Sequence, residues 1–312
     1  MRIIYLGTPD FAVEPLRRLV EAGKDIVAVV TMPDKPAGRG HKLLFSPVKQ
    51  YALDNNLPLL QPTNLKDTEF VEQLRSYRAD LQIVVAFRML PEVVWNMPPL
   101  GTFNLHASLL PEYRGAAPIN WAVINGDKET GVTTFFLKHE IDTGNIILQQ
   151  STPISNEEDA GAVHDRLMMM GADLVLRTVE LIESGNVPTT SQDDAVTRPA
   201  PKIFKETCRL NFAMKCTDVH NYVRGLAPYP AAWIALRTAT GEETTMKVMR
   251  SEKEVTPHTY PTGQLMTNGK TYIKVTTVDG YLYLLDVQLA GKRRMPVADL
   301  LRGTNFDGWT II

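Results

Sequence analysis

Residues 2–30 read RIIYLGTPDFAVEPLRRLVEAGKDIVAVV, and this stretch carries the pattern of a strand, a turn, a helix and a second strand. Residues 3–6 form a short run typical of a buried strand, and residues 26–30 form a second apolar, β-branched run. Between them, residues 11–22 place apolar side chains at helical spacing, and Gly23 ends that pattern. This order favours a parallel α/β sheet.

The same alternation continues to about residue 184. Further strands are predicted at residues 81–86 and 102–105, helices at 47–55 and 70–77, and an antiparallel pair at 132–137 and 146–150. A long helix is predicted over residues 160–184 and is stopped by Gly185. We therefore expect a Rossmann-like, mostly parallel sheet covered by helices on both faces.

The last third of the chain has a different pattern. Residues 188–206 lose periodicity and gain proline and polar residues, which predicts a linker between a first domain at 1–187 and a second at 207–312. One helix is predicted at residues 213–226, followed by Thr-, Val- and Tyr-rich runs divided by glycine. We expect this second domain to be a small OB-like β-barrel.

Composition indicates a folded protein of the reducing cytoplasm. The 312 residues are 44% hydrophobic and 22% charged, which argues against disorder. An apolar run of about 18 residues is absent from the sequence, so we expect no membrane partner. Cys208 and Cys216 are too few for a disulfide framework, and no Cys/His spacing is typical of zinc, so we expect no metal.

The motifs of two common classes of nucleotide-binding enzyme are absent from the sequence. The turn after the first strand, at residues 7–11, lacks the G-x-G-x-x-G pattern of dinucleotide binding. The sequence also lacks G-x-x-x-x-G-K-[ST], the phosphate-binding loop of nucleoside triphosphatases.

The strongest chemical signal lies near the end of the strand predicted at residues 102–105. Asn104 and His106 are two residues apart, so their side chains point to the same face. An amide beside an imidazole at the carboxyl edge of a parallel sheet suits a site where oxyanion charge develops during acyl transfer. Asp142 in Glu-Ile-Asp-Thr-Gly is a third candidate. A simple strand end and a simple turn remain the alternatives at this point.

Six segments form a set of motifs: residues 7–12 (GTPDFA), 33–40 (PDKPAGRG), 46–49 (SPVK), 104–111 (NLHASLLP), 114–119 (RGAAPI) and 142–144 (DTG). Through these segments the sequence resembles the methionyl-tRNA formyltransferases over essentially the whole chain. Residues 86–91, Ala-Phe-Arg-Met-Leu-Pro, depart from the family, which usually has a Tyr-Gly pair and one more residue there.

The resemblance implies an enzyme that transfers the formyl group of 10-formyltetrahydrofolate to the α-amino group of methionyl-initiator tRNA. We expect a monomer, because nothing in the sequence demands an oligomer. The resemblance implies that Asn104 and His106 stabilise the oxyanion while Asp142 orients His106 and helps to remove the amine proton. It also implies a folate site that needs no metal. The expected folate-binding residues are Arg88, Met89, Leu90, Ser108, Leu109, Leu110 and Pro111.

Two basic segments are expected to contact tRNA. In the family, the loop that corresponds to residues 32–45 closes over the acceptor end, which here involves Lys35, Arg39 and Lys42. Residues 207–312 hold 13 Lys and Arg against 9 Asp and Glu, whereas residues 1–206 hold 20 against 26. Lys292, Arg293 and Arg294 fit phosphate contacts in this basic region, and a solvated strand edge is the alternative.

Two other functions remain open at the level of sequence. A sugar-nucleotide N-formyltransferase would share the Asn104, His106 and Asp142 pattern, but the loop at residues 33–40 favours tRNA. A non-catalytic RNA-binding module with an OB-like fold is a second alternative, against which the complete catalytic set argues.

Overall fold

The computed structural model describes residues 1–37, 42–193 and 197–312, with residues 35–37, 42 and 43 described by their backbone alone. Arg39 lies outside the described residues. The chain forms two compact units. Unit 1 comprises Met1–Gly115, Thr130–Thr152 and His164–Pro199, and unit 2 comprises Ala116–Glu129, Pro153–Val163 and Ala200–Ile312.

The strands, in chain order, are β1 (Arg2–Gly7), β2 (Asp25–Val30), β3 (Lys35–Ala37), β4 (Lys42–Leu44), β5 (Leu59–Leu60), β6 (Leu81–Val85), β7 (Thr102–His106), β8 (Arg114–Gly115), β9 (Glu129–Phe136), β10 (Ile146–Pro153), β11 (Pro199–Ala200), β12 (Ala232–Arg237), β13 (Glu243–Val255), β14 (Leu265–Thr267), β15 (Ile273–Thr276), β16 (Gly280–Leu289), β17 (Met295–Pro296) and β18 (Thr310–Ile311).

The helices are α1 (Val13–Glu21), α2 (Pro47–Asp54), α3 (Thr68–Ser76), α4 (Glu92–Trp95), α5 (Pro118–Ile124), α6 (Ala160–Glu183), α7 (Cys216–Leu226) and α8 (Val297–Leu301), with short 3-10 turns at Asp10–Ala12 and Glu206–Cys208. Among these described helices, none combines the length and the apolar character needed to cross a membrane.

Unit 1 is built on a seven-stranded sheet in the order β10-β9-β7-β6-β1-β2-β5. The pairs from β7 to β5 run parallel, and β9 pairs antiparallel with β7. Five of the six residues of β1 and of β2 are buried, and all five of β6. Such strands need cover on both faces, so the expected Rossmann-like sheet is confirmed.

Unit 2 contains a second, antiparallel sheet that is barrel-like, as expected for its OB-like fold. Its strands follow the order β14-β15-β16-β13-β12-β18, with β17 paired to β16. Alternate residues of these strands point into one core, which also takes apolar side chains from α7 and α8. The single helix predicted at residues 213–226 begins later, at Cys216.

Several short elements were not predicted. Residues 32–45, expected as an irregular loop, contain the antiparallel pair of β3 and β4, whose three-residue strands are too short to show a period. The same shortness hides α4, α5 and α8. By contrast, α2 begins as predicted, because Ser46 caps it by accepting a hydrogen bond from the Lys49 N–H at 3.0 Å.

Candidate active site

The site lies where parallel strands β1, β6 and β7 end. Gly7 is in register with Val85, and Val85 is in register with Leu105, so the three carboxyl ends are level. Asn104 is the third and His106 the fifth and last residue of β7, so both lie near the end of the strand, as the sequence predicted. Their two-residue spacing places them on the same face.

His106 is buried and uses its two ring nitrogens differently. Its Nε2 donates to the carbonyl oxygen of Tyr113 at 2.8 Å, because a carbonyl can only accept. Its Nδ1 faces Oδ2 of Asp142 at 3.9 Å. That distance is too long for a direct hydrogen bond, so Nδ1 is the nitrogen left for a substrate or a bridging atom.

Asp142 is held in an unusual backbone conformation. Its φ is +55°, in the left-handed region that β-carbon-bearing residues rarely adopt. Its Oδ2 accepts a hydrogen bond from the Gly115 N–H at 2.9 Å. Gly144 closes the turn, because a Cβ there would lie 1.5 Å from the Phe136 carbonyl oxygen. The Asp-Thr-Gly segment is thus a tight turn that also aims its carboxylate at His106.

Two buried oxygen atoms at this edge lack a hydrogen-bond partner among the described residues. One is Oδ1 of Asn104, and the other is Oγ1 of Thr8, the residue that directly follows β1. Buried polar atoms are normally paired, so both atoms mark places where a ligand group can bind. Sequence reasoning missed Thr8, because a lone threonine in a turn has no distinguishing pattern.

The turn after β7 contains the predicted folate residues 108–111. The Ser108 hydroxyl donates to the Glu112 carbonyl at 2.6 Å, so it shapes the turn. The Leu110 N–H donates to the hydroxyl of Thr133 at 3.2 Å, and its carbonyl accepts from Nε2 of Gln149 at 2.7 Å. Leu109 and Pro111 are half-buried and are the side chains of this segment that reach the surface.

The second predicted folate segment follows β6. Ala86 has a φ of +47°, and Arg88 donates to the carbonyls of Thr63, at 2.9 Å, and Pro62. Burial lowers the pKa of Arg88. Leu90 is buried in the core of unit 1, whereas Met89 is 73% exposed. Arg88 and Leu90 therefore fix the loop, and Met89 is the side chain that it presents.

The hairpin of β3 and β4, which carries Lys35 and Lys42, is held at its base by Lys49. This buried lysine donates to Oδ2 of Asp34 at 2.6 Å and to Oε1 of Gln61 at 3.0 Å, and its ammonium lies 3.9 Å from the centre of the Phe45 ring. The hydrogen bond from Lys49 is the main reason why the pKa of Asp34 is lowered. One side chain thus joins the entry and the exit of the hairpin.

The basic run of unit 2 is not uniform. Both Nε and Nη2 of Arg294 donate to Oδ2 of Asp286, at 2.8 and 2.5 Å, and this pairing raises the pKa of Arg294. Lys292 donates to the hydroxyl of Thr304 at 3.0 Å. Arg293 is exposed, and its side chain has no partner among the described residues.

In the described part of the chain, no group of three or more His, Cys, Asp or Glu side chains lies close enough to hold a metal ion.

Comparison with protein families accounts for most of the chain. Residues 1–179 match the formyl transferase family, and residues 202–305 match the formyl transferase C-terminal domain. Residues 180–201 lie between the two matches.

Curated relatives match at nearly full length. The methionyl-tRNA formyltransferase of Bacteroides thetaiotaomicron is 60% identical over 307 residues, which cover 97% of this chain and 95% of that protein. The methionyl-tRNA formyltransferase of Flavobacterium johnsoniae is 52% identical over 307 residues, 98% of this chain and 97% of that protein.

Solved structures share the fold at low identity. HypX from Aquifex aeolicus in complex with tetrahydrofolic acid has a TM-score of 0.63 at 19% identity, over 96% of this chain and 47% of that one, so the chain spans about half its length. WlaRD, a sugar 3N-formyl transferase, has a TM-score of 0.63 at 18% identity, over 94% of this chain and 99% of that one. The relatives that match at 52–60% identity over nearly the whole of both chains are methionyl-tRNA formyltransferases, so the chain belongs to the methionyl-tRNA formyltransferase family.

Proposed function

We propose that this chain transfers the formyl group of 10-formyltetrahydrofolate to the α-amino group of methionine on initiator tRNA. The observation that carries the proposal is the convergence of Asn104, His106 and Asp142 at the carboxyl edge of the sheet. Family membership supplies the reaction class, and this convergence supplies the groups that the reaction needs.

The residues at the site fit a folate donor. The unpaired Oδ1 of Asn104 requires a hydrogen-bond donor from a ligand, and Met89 offers an exposed apolar surface beside the end of β6. Leu109 and Pro111 are the half-buried side chains of the loop that follows β7. The other predicted folate residues, Arg88, Leu90, Ser108 and Leu110, hold the two loops in place. When bound, the donor supplies the formyl group.

Each of the three side chains at the site has its own part in the reaction. The amide NH2 of Asn104 can donate to the formyl oxygen and stabilise the negative charge that develops there. An atom about 2.8 Å from both Nδ1 of His106 and Oδ2 of Asp142 fits beside the 3.9 Å gap between them. From that position the attacking amine, held by Nδ1 of His106, would pass a proton to Asp142, directly or through a water, as its nitrogen bonds to the formyl carbon. The bond from the formyl carbon to N10 of the donor would then break, and N10 would take up the proton that the amine lost.

The tRNA is assigned to the two basic segments. Lys35 and Lys42 lie on the hairpin strands β3 and β4, and Arg39 falls between them in the sequence, so these three are proposed to contact the acceptor end. Lys292, Arg293 and Arg294 are proposed to contact phosphates of the tRNA body. We further propose that residues 1–187 and 207–312 are the catalytic and tRNA-binding domains, joined at 188–206. A monomer acting in the cytoplasm, where aminoacyl-tRNA is used, completes the proposal.

A competition assay separates this function from the alternatives. Purified protein is given 10-formyltetrahydrofolate with equal concentrations of methionyl-tRNA and a 3-amino-sugar nucleotide. We expect formyl transfer to methionyl-tRNA, with kcat/KM larger by at least about a hundredfold, which is about 2.7 kcal/mol of discrimination. Preference for the sugar would support the sugar-nucleotide enzyme, and no transfer to either amine would support an RNA-binding module.

A further inference from the structure

Gln192 lies in the stretch between the two family matches, which the sequence predicts to be part of a linker. Its side chain nevertheless reaches two segments of unit 1 that are distant in sequence. Nε2 donates to the carbonyl oxygens of Asp142 and Gly144, each at 2.8 Å. Oε1 accepts from Nη2 of Arg114 at 2.7 Å and from its Nε at 3.1 Å.

These contacts use the whole hydrogen-bonding capacity of the amide. Two backbone carbonyls take both hydrogens of Nε2, and the guanidinium of Arg114 occupies Oε1, so the orientation of the Gln192 amide is fixed. A carboxylate at this position would place only acceptors against the two carbonyls.

The bonds of Gln192 hold both sides of the contact that positions the catalytic carboxylate. On one side, Gln192 donates a hydrogen bond to the backbone carbonyl of Asp142. The φ of Asp142, +55°, is kept only where surrounding contacts hold it. On the other side Gln192 binds Arg114, and the next residue, Gly115, donates to Oδ2 of Asp142. The position of Oδ2 relative to His106 therefore depends on both ends of this bridge.

The backbone around Gln192 is itself fixed on unit 1. Thr190 and Ile146 exchange two backbone hydrogen bonds of 2.8 and 2.9 Å just after the Asp142 turn. Further along, the Arg198 carbonyl accepts from the Tyr113 N–H at 2.7 Å, and the Tyr113 carbonyl is the partner of His106.

We propose that Gln192 is a positioning residue for formyl transfer, acting through Asp142 and not by touching either substrate. The proposal rests on the proposed function. It assigns a role in the reaction to a segment that neither family match covers.

The test compares Gln192→Leu, which removes every side-chain bond, with Gln192→Glu, which keeps the shape and the Arg114 contact but loses both donors. Ser191→Ala is the matched control, since Ser191 is exposed and adjacent. We expect both Gln192 variants to lower the single-turnover rate at saturating substrates by about 10- to 100-fold. The Kd for folate and the KM for tRNA should change less than about twofold.

A second comparison separates positioning from general destabilisation. In an Asp142→Asn background, adding Gln192→Leu should lower the rate little further, because residues that act as a unit are not additive. An unchanged rate in both Gln192 variants would overturn the proposal. So would a full additional loss in the Asp142→Asn background, or an increase of KM for tRNA alone. If the unsubstituted protein formylates no methionyl-tRNA, the proposed function fails before this test is reached.

Discussion

The carboxylate of Asp142 approaches His106 without bonding to it: Oδ2 lies 3.9 Å from Nδ1, while the same oxygen accepts from the Gly115 N–H at 2.9 Å. The carboxylate is thus fixed by the backbone and not by the imidazole. A reacting amine can approach the gap and contact both groups.

Asp142→Asn tests whether the negative charge, and not merely the shape, of this side chain is needed. The amide can keep the bond from Gly115 through its oxygen but can no longer take up a proton. We expect the single-turnover rate to fall by about two to four orders of magnitude, with folate affinity nearly unchanged. A similar loss is expected for His106→Ala. A rate within about threefold of the unsubstituted protein would contradict the assigned role of Asp142.

Asn104→Leu separates catalysis from stability. Because Oδ1 of Asn104 has no partner in the described structure, replacing the amide by an apolar group of similar size removes an unpaired polar atom. The free energy of unfolding, measured in urea, should therefore change by less than about 1 kcal/mol. Turnover should still fall by about 10²- to 10³-fold, the effect of losing one oxyanion donor. Strong destabilisation with normal turnover in the remaining folded protein would point to a structural asparagine.

The salt dependence of tRNA binding tests the basic run of unit 2. Arg293 is free to meet a phosphate, whereas Arg294 is already paired with Asp286. We expect Arg293→Ala to flatten the log–log salt slope by about one unit and Arg294→Ala to flatten it less. Arg250→Ala, which removes another exposed arginine of unit 2, serves as the control. Equal slopes for Arg293→Ala and the control would show that the run is only a solvated edge.

His220 makes the stability of unit 2 depend on pH. Burial is the main reason why the pKa of His220 is lowered from 6.5 to about 4. The positive charges of Lys253 and Arg224 lower it further, and the negative charge of Glu157 opposes the shift. Between these values the unfolded chain binds a proton that the native state does not, so the free energy of unfolding rises with pH across this window. We expect a loss of about 2 kcal/mol on acidification through the window, reduced by the partial solvent contact of this side chain.

His220→Gln keeps a polar side chain that can bond to the hydroxyl of Ser251, 3.0 Å from Nδ1 of His220, but it does not titrate. Urea unfolding near pH 7 and near pH 4.5 should show a smaller acid-induced loss in this variant. The same loss in both proteins would assign the acid sensitivity to other groups.

The parts of the fold and site that could be predicted are those that leave a local pattern in the sequence. The continuous apolar runs of β1, β2 and β6 and the two-residue spacing of Asn104 and His106 are such patterns. Asp142 could be joined to them only through the resemblance, because 36 positions separate it from His106 and no spacing rule links them. Gln192 and Thr8 escaped prediction because their importance depends on backbone partners, or on the lack of one, and neither leaves a pattern of residue types.

The measurement that tests the account most directly is the mass of the methionyl group after a single turnover. Methionyl-tRNA is incubated with the protein and 10-formyltetrahydrofolate carrying an isotopic label in the formyl carbon, and the released amino acid is analysed. We predict that the labelled formyl group appears on the α-amino nitrogen with the unsubstituted protein and at least about a hundredfold more slowly with Asp142→Asn. Unlabelled methionine after incubation with the unsubstituted protein, or labelling at the same rate with both proteins, would contradict the account.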